Sequence, residues 1–137
     1  MLKSVTTFVV AVAALYSLAA AFTYLWVFAQ PPSTWADRLA IPVVVLAPYG
    51  VLYAAQRLAR GPASCWIVCV AAVLCAALAE SLYVSSFVRP DGRGTYALVY
   101  FFGPAIQCVV ALPALVAVVG WRAFVRWRKT GRARTSP

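Results

Sequence analysis

The stretch that decides the fold is residues 64–88, SCWIVCVAAVLCAALAESLYVSSFV, in which Glu80 is the one charged side chain. A helix that crosses the hydrocarbon core of a bilayer needs about 20 predominantly apolar residues. Residues 64–88 exceed that length and are apolar on every side of a helix, which is atypical of a surface helix in a soluble protein. They therefore predict a transmembrane helix with a carboxylate inside it.

Three further apolar stretches flank this one, at residues 5–29, 39–58 and 96–121. Of the 137 residues, 64% are hydrophobic and 11% are charged, against about 25% charged residues in a typical soluble domain. One small core could not bury so much apolar surface. The composition excludes a soluble globular enzyme, a disordered chain and a disulfide-stapled secreted module. It predicts a single four-span membrane domain over residues 1–137.

The breaks between the spans are short and rich in turn residues. They contain Gln-Pro-Pro-Ser at 30–33, Arg-Gly-Pro at 60–62 and Arg-Pro-Asp-Gly-Arg-Gly at 89–94. Such short connections make consecutive helices antiparallel neighbours. The expected fold is therefore all-α and integral to the membrane: an up-down antiparallel bundle of four transmembrane helices.

The basic residues predict the orientation of this bundle. Nine of them belong to the N-terminus, the second loop and the C-terminal tail: Lys3, Arg57, Arg60, Arg122, Arg126, Arg128, Lys129, Arg132 and Arg134. Three lie on the opposite side: Arg38, Arg89 and Arg93. Loops rich in Lys and Arg stay in the cytoplasm. We therefore expect a multi-pass protein of a bacterial-type inner (plasma) membrane with both termini in the cytoplasm.

The basic tail, residues 122–137, follows the fourth span directly. Its first part is expected to extend the fourth helix past the membrane edge, and residues 130–137 are expected to be loose. Four bases are predicted to contact anionic lipid headgroups: Arg122, Arg126, Arg128 and Lys129. A role as a stop-transfer anchor accounts for these residues without nucleic acid, so the expected partner of the tail is the bilayer.

Glu80 is the residue that the sequence singles out for function. It lies eight residues from the outer end of its span, about 12 Å deep. An ionised carboxylate costs about 2.5–3.5 kcal/mol at the centre of a membrane helix, so we expect Glu80 to face the bundle interior or a wet outward cavity. Residues at a similar depth are its candidate partners: Tyr49, Tyr100 and Gln107. Glu80 is interpreted as a packing residue, a proton, cation or substrate site, or a contact with another protein.

Small residues predict which helix faces pack together, because close approach drives helix association in membranes. The first span has Ala13, Ser17 and Ala21 at steps of four. The third has one arc of residues: Cys65, Cys69, Ala72, Ala76, Glu80, Tyr83 and Phe87. The fourth has another: Tyr96, Tyr100, Gly103 and Gln107. These faces are expected to point into the bundle, with the larger branched side chains towards lipid.

The chain lacks the residue types of most catalytic sites. It contains no His, which excludes Ser-His-Asp and Cys-His catalysis, a His-ligated haem and a His-containing zinc site. Cys65 and Cys69 share a helix face, but the sequence offers no second pair to complete a metal site. We expect no cofactor, no metal and no enzymatic activity, and interpret the cysteines as small packing residues.

Two functional hypotheses follow. The first is a non-catalytic inner-membrane interaction protein, either an accessory subunit or an immunity-type protein that blocks a membrane toxin. Its partner would be another membrane protein or a second copy of the chain. The alternative is a small oligomeric channel or proton-coupled transporter that uses Glu80. A membrane enzyme with Glu80 as a base is less well supported, because no second polar catalytic residue accompanies it.

Overall fold

A computed structural model of the chain describes residues 2–28, 35–87 and 96–133, and the side chains of residues 2–23, 40–85 and 102–128. This part of the chain forms four helices: α1 (Leu2–Phe28), α2 (Trp35–Leu58), α3 (Pro62–Phe87) and α4 (Tyr96–Ala133). Each contains a segment long and apolar enough to cross a membrane. The prediction of four apolar helices of membrane-spanning length is confirmed, and such helices are typical of a multi-pass membrane protein.

The helix ends follow the sequence closely, except at the C-terminus. α2 ends at Leu58 and α4 begins at Tyr96, as predicted, and the other ends of α1 to α3 lie within four residues of the predicted ones. The expectation of a loose segment after residue 129 is wrong for residues 130–133, which continue α4. The single glycine there costs a helix only about 1 kcal/mol, and the Lys and Arg residues around it favour helix. Residues 134–137 lie outside the described part.

Prolines occur inside two helices without ending them: Pro42 and Pro48 in α2, and Pro104 and Pro113 in α4. Proline lacks a backbone N–H, but membrane helices tolerate it where neighbouring groups satisfy the freed carbonyl. Pro62 is the first residue of α3, where a missing N–H costs nothing. Both proline-containing helices therefore remain full-length spans.

The main helix contacts do not simply follow chain order. The most extensive packing is between α2 and α4, between α1 and α3, and between α3 and α4. The pair α1 and α2 shares less surface, and the pair α2 and α3 shares the least of these five pairs. Around the bundle the helices therefore stand in the order α1, α3, α4, α2. The short link at residues 59–61 joins two helices that lie diagonally opposite, which the loop lengths did not predict.

The small-residue prediction holds for α1 and is shifted on α3. Ala13, Ser17 and Ala21 are buried. Three predicted members of the α3 arc are also buried: Cys65, Ala72 and Tyr83. The other buried residues of α3 lie beside that arc: Ser64, Val68, Ala71, Cys75 and Ala79. The predicted members Cys69, Ala76 and Glu80 are only partly buried. The face of α3 that enters the core is therefore rotated away from the one predicted, and Glu80 lies at its edge.

On α4, Gly103 and Gln107 are buried as predicted, while the side chains of Tyr96 and Tyr100 lie outside the described residues. Large apolar side chains point outward, among them Phe8, Leu15, Trp66, Val109 and Val116. The described part of the bundle thus has a narrow interior of small residues and an outer surface suited to acyl chains.

Candidate functional site

Glu80 lies on α3, seven residues before its last residue Phe87 and hence about 10 Å from that helix end. One neighbour of Glu80 is Tyr16 near the middle of α1, whose hydroxyl lies within hydrogen-bonding reach of the Glu80 carboxylate. Tyr16 is 50% exposed, and Glu80 is partly exposed. The pair therefore lies at the outer edge of the α1/α3 seam and not on the axis of the bundle.

Sequence reasoning did not identify Tyr16 as a neighbour of Glu80. The three candidates were chosen by depth on the second and fourth spans. Two of them, Tyr49 and Gln107, lie in the core, and the side chain of the third, Tyr100, lies outside the described residues. One signal was available: of the two tyrosines in the apolar stretch at residues 5–29, Tyr16 and Tyr24, Tyr16 lies next to the middle of the stretch.

Tyr49 and Gln107 belong to a second polar group, the core cluster, which consists of Ser17, Tyr49, Cys75 and Gln107. The hydroxyl oxygens of Ser17 and Tyr49 are 2.5 Å apart. The Gln107 side-chain amide donates to the backbone carbonyl of Cys75 at 2.8 Å, and the Cys75 thiol donates to the backbone carbonyl of Gln107 at 3.5 Å. Gln107 also lies within hydrogen-bonding reach of Tyr49. Each of the four helices contributes one residue.

The composition of the core cluster fits a structural role. All four of its residues are buried, and its functional groups are hydroxyls, an amide and a thiol. Buried polar groups that bond one another fix the register of packed helices. Proton transfer at neutral pH calls for a group such as a carboxylate or an imidazole. Among the described side chains, the carboxylate belongs to Glu80, which lies at the α1/α3 seam and not in the core cluster.

Another polar contact joins α1 and α2 near their ends. The buried Gln56 side-chain amide donates to the Lys3 carbonyl at 3.3 Å and to the Thr7 hydroxyl. The Thr7 hydroxyl in turn donates to the Lys3 carbonyl at 2.8 Å. This contact places the start of α1 beside the end of α2.

Three arginines meet at the same end of the bundle, in what we term the arginine pocket. The pocket has a volume of about 340 Å³ and seven lining residues: Arg60, Gly61, Ser64, Trp121, Arg122, Val125 and Arg126. Two of the four predicted headgroup contacts, Arg122 and Arg126, therefore share one cavity. Arg60, interpreted from the sequence only as a topology signal, lies there too.

The other two predicted headgroup contacts lie elsewhere. The Arg128 guanidinium sits 5.9 Å from the centre of the Phe124 ring, and its side chain is exposed. The side chain of Lys129 lies outside the described residues. Trp121 and Trp127 flank Phe124 with ring centroids 6.2 Å and 6.3 Å away. These rings form an aromatic row suited to the membrane interface.

The cysteines do not assemble a metal centre in the described part of the chain, where no three His, Cys, Asp or Glu residues converge. Cys65 and Cys75 are buried free thiols, and Cys69 and Cys108 are partly buried ones. The features available for assigning a function are therefore the Glu80–Tyr16 pair, the core cluster and the arginine pocket. Comparison of the chain with family models, with curated proteins and with solved structures finds no match.

Proposed function

We propose that this chain is a non-catalytic inner-membrane protein that acts by binding another membrane protein, as an accessory subunit or an immunity-type protein. The observation that carries the proposal is the position of Glu80, which lies within a candidate membrane span at the outer edge of the α1/α3 seam. The Tyr16 hydroxyl lies within hydrogen-bonding reach of the carboxylate there. A carboxylate at this position is accessible to a neighbouring helix.

The energetics favour such a contact. An ionised carboxylate costs about 2.5–3.5 kcal/mol at the centre of a membrane helix and less away from it, and intramembrane charges are stabilised by bases or hydrogen-bond donors at the same depth. One hydrogen bond between membrane helices contributes about 0.6 kcal/mol on average. A partner helix that presents Arg, Lys or a hydroxyl group beside Glu80 would add an interaction of this kind.

The surface around the pair is suited to helix packing. Ala77 lies three residues before Glu80 on the same face of α3, and Ala19 lies three residues after Tyr16 on α1; both are exposed. Small residues at a membrane surface let another helix approach closely. The Glu80–Tyr16 pair is thus bordered by positions where a partner backbone can lie near the bundle.

We further propose that the bundle is up-down and antiparallel, with both termini in the cytoplasm of a bacterial-type cell. Two contacts support the antiparallel direction of α1 and α2: Gln56 beside Lys3 at one end, and Tyr49 beside Ser17 near the middle. The nine-to-three distribution of bases in the sequence supports the orientation.

The proposal is tested by photo-crosslinking in native membranes. A photoreactive amino acid at position 77 is expected to crosslink one membrane protein in stoichiometric amount. The same residue at position 109, which is 70% exposed on α4, is the matched control and should give no such product. Glu80→Leu should abolish the crosslink at position 77, and Tyr16→Phe should weaken it.

Tyr53→Phe serves as the control for Tyr16→Phe, because Tyr53 is similarly exposed, at 48%, but lies on α2. A crosslink that survives Glu80→Leu contradicts the proposal. Purified protein that conducts protons in liposomes, and loses this flux in Glu80→Gln while staying folded, also contradicts it. That second result would support the small oligomeric channel or proton-coupled transporter.

A further inference from the structure

The arginine pocket brings together positive charges at one end of the α3/α4 seam. The guanidinium groups of Arg60 and Arg126 both act electrostatically on Arg122. The Nε atom of Arg122 is buried and has no hydrogen-bond acceptor among the described residues. Like charges repel at such a site, and a buried donor without an acceptor costs free energy. An anion in the pocket removes both costs.

An apolar groove lies on the same seam. Its volume is about 350 Å³, and seven residues line it: Trp66, Ile67, Val70, Ala71, Leu74, Val110 and Ala114. On each helix the pocket residues and the groove residues follow one another along one face, at steps of three, four or seven. The pocket residues are Ser64 on α3 and Trp121 and Val125 on α4, and the groove residues are Ile67, Ala71 and Leu74 on α3 and Val110 and Ala114 on α4. The groove therefore continues the arginine pocket towards the middle of the membrane.

We propose that the arginine pocket and the apolar groove together bind one anionic glycerophospholipid. Its phosphate group lies against Arg60, Arg122 and Arg126, and one acyl chain lies along the groove. Guanidinium groups match phosphate oxygens in charge and in geometry. Ala114 and Trp121 are seven residues apart on α4, a rise of about 10 Å, so the polar and apolar parts of the site are separated as in a lipid.

Charge complementarity and the apolar lining select this occupant. Three bases around one cavity favour a headgroup with net negative charge over a zwitterionic one, and basic pockets between membrane helices bind anionic headgroups. The groove adds favourable contacts that a free phosphate ion does not make. The site lies on the α3/α4 seam, whereas Glu80 lies on the α1/α3 seam, so the inference stands independently of the proposed function.

Native mass spectrometry of the full chain in a neutral detergent tests the headgroup part of the site. Dioleoyl phosphatidylglycerol is expected to bind saturably with one lipid per chain, and dioleoyl phosphatidylcholine at least about fivefold more weakly. Arg122→Gln should weaken phosphatidylglycerol binding about fivefold, since one base near an anionic lipid contributes about 1 kcal/mol. Arg128→Gln is the matched control, because it removes the same charge from the same helix outside the pocket. It should change binding by less than about twofold.

A second pair of variants tests the acyl-chain part. Val110→Phe places a ring in the groove, whereas Val109→Phe places it on the outward face of α4, where Val109 is 70% exposed. Val110→Phe should weaken phosphatidylglycerol binding, and Val109→Phe should not. Near-ultraviolet circular dichroism of each variant checks that the fold is retained.

Three results would overturn the proposal. Equal losses in Arg122→Gln and Arg128→Gln would show general attraction to basic residues. Competition by inorganic phosphate at the affinity of the lipid would show an anion site without a lipid. Undiminished binding in folded Val110→Phe would show that the groove holds no acyl chain.

Discussion

The hydrogen bond between Ser17 and Tyr49 links α1 to α2 in the core, and its removal gives a direct test of the packing. The two hydroxyl oxygens are 2.5 Å apart, and the residues are 0% and 3% exposed. Ser17→Ala and Tyr49→Phe each delete one hydroxyl without enlarging a side chain. The double variant deletes both, so the three proteins and the parent form a double-mutant cycle.

The expected coupling energy is about 0.6 to 1.7 kcal/mol, the range from the average to the strongest hydrogen bond between membrane helices. Each single variant should therefore lower the free energy of unfolding by about 1 kcal/mol. The double variant should cost little more than either single change, because both remove the same bond. Two alternative bonds limit the single losses: Gln107 lies within reach of the Tyr49 hydroxyl, and Ser17 can donate to the carbonyl four residues earlier.

The assay is reversible unfolding in mixed micelles with increasing dodecyl sulfate, followed by near-ultraviolet circular dichroism. Tyr53→Phe is the control, because Tyr53 lies one turn further along α2 and is 48% exposed; it should cost less than about 0.5 kcal/mol. Single losses that simply add in the double variant would refute the direct bond. A loss in Tyr53→Phe as large as that in Tyr49→Phe would refute the assignment of Tyr49 to the core.

Two further predictions follow. A Cβ atom added at Gly103 lies 3.8 Å from a methyl carbon of Leu82, which is an ordinary contact. Gly103→Ala should therefore leave thermal unfolding unchanged, or raise stability by up to about 1 kcal/mol because alanine favours helix more than glycine does. A loss larger than about 1 kcal/mol would show that close packing requires this glycine. With the four native cysteines replaced, impermeant thiol reagents added to intact cells should label a cysteine at Ser33 or Gly92 but not at Ala63, and labelling at Ala63 would reverse the proposed orientation.

The spans were predictable because each membrane helix corresponds to a long apolar run of sequence whose ends carry charges and turn residues. The inward face of α1 was also predictable, since Ala13, Ser17 and Ala21 recur at steps of four along the helix. α3 was harder. It has alanines and cysteines on most of its surface, so several rotations about its axis offer a face of small residues. The side on which α1 and α4 pack decides between them.

The candidate site shows how much can be predicted by counting residues from the end of a span to estimate depth in the membrane. Counting gave the depth of Tyr49 and Gln107 correctly enough that both lie in one polar group. It gave no information on the direction in which each side chain points, because an apolar helix lacks the polar face that fixes direction in soluble proteins. For Glu80 the structure adds Tyr16 on α1, a helix on which counting by depth names no candidate.

The order of the helices around the bundle has a consequence for biosynthesis. A chain emerges from the ribosome N-terminus first, so α1 and α2 enter the membrane as a pair that shares limited surface. The main neighbour of α1 is α3, which is synthesised after α2. The main neighbour of α2 is α4, the last helix to be synthesised. The final arrangement therefore forms only after synthesis of α4, and until then the inward face of α2 is open to other proteins in the membrane.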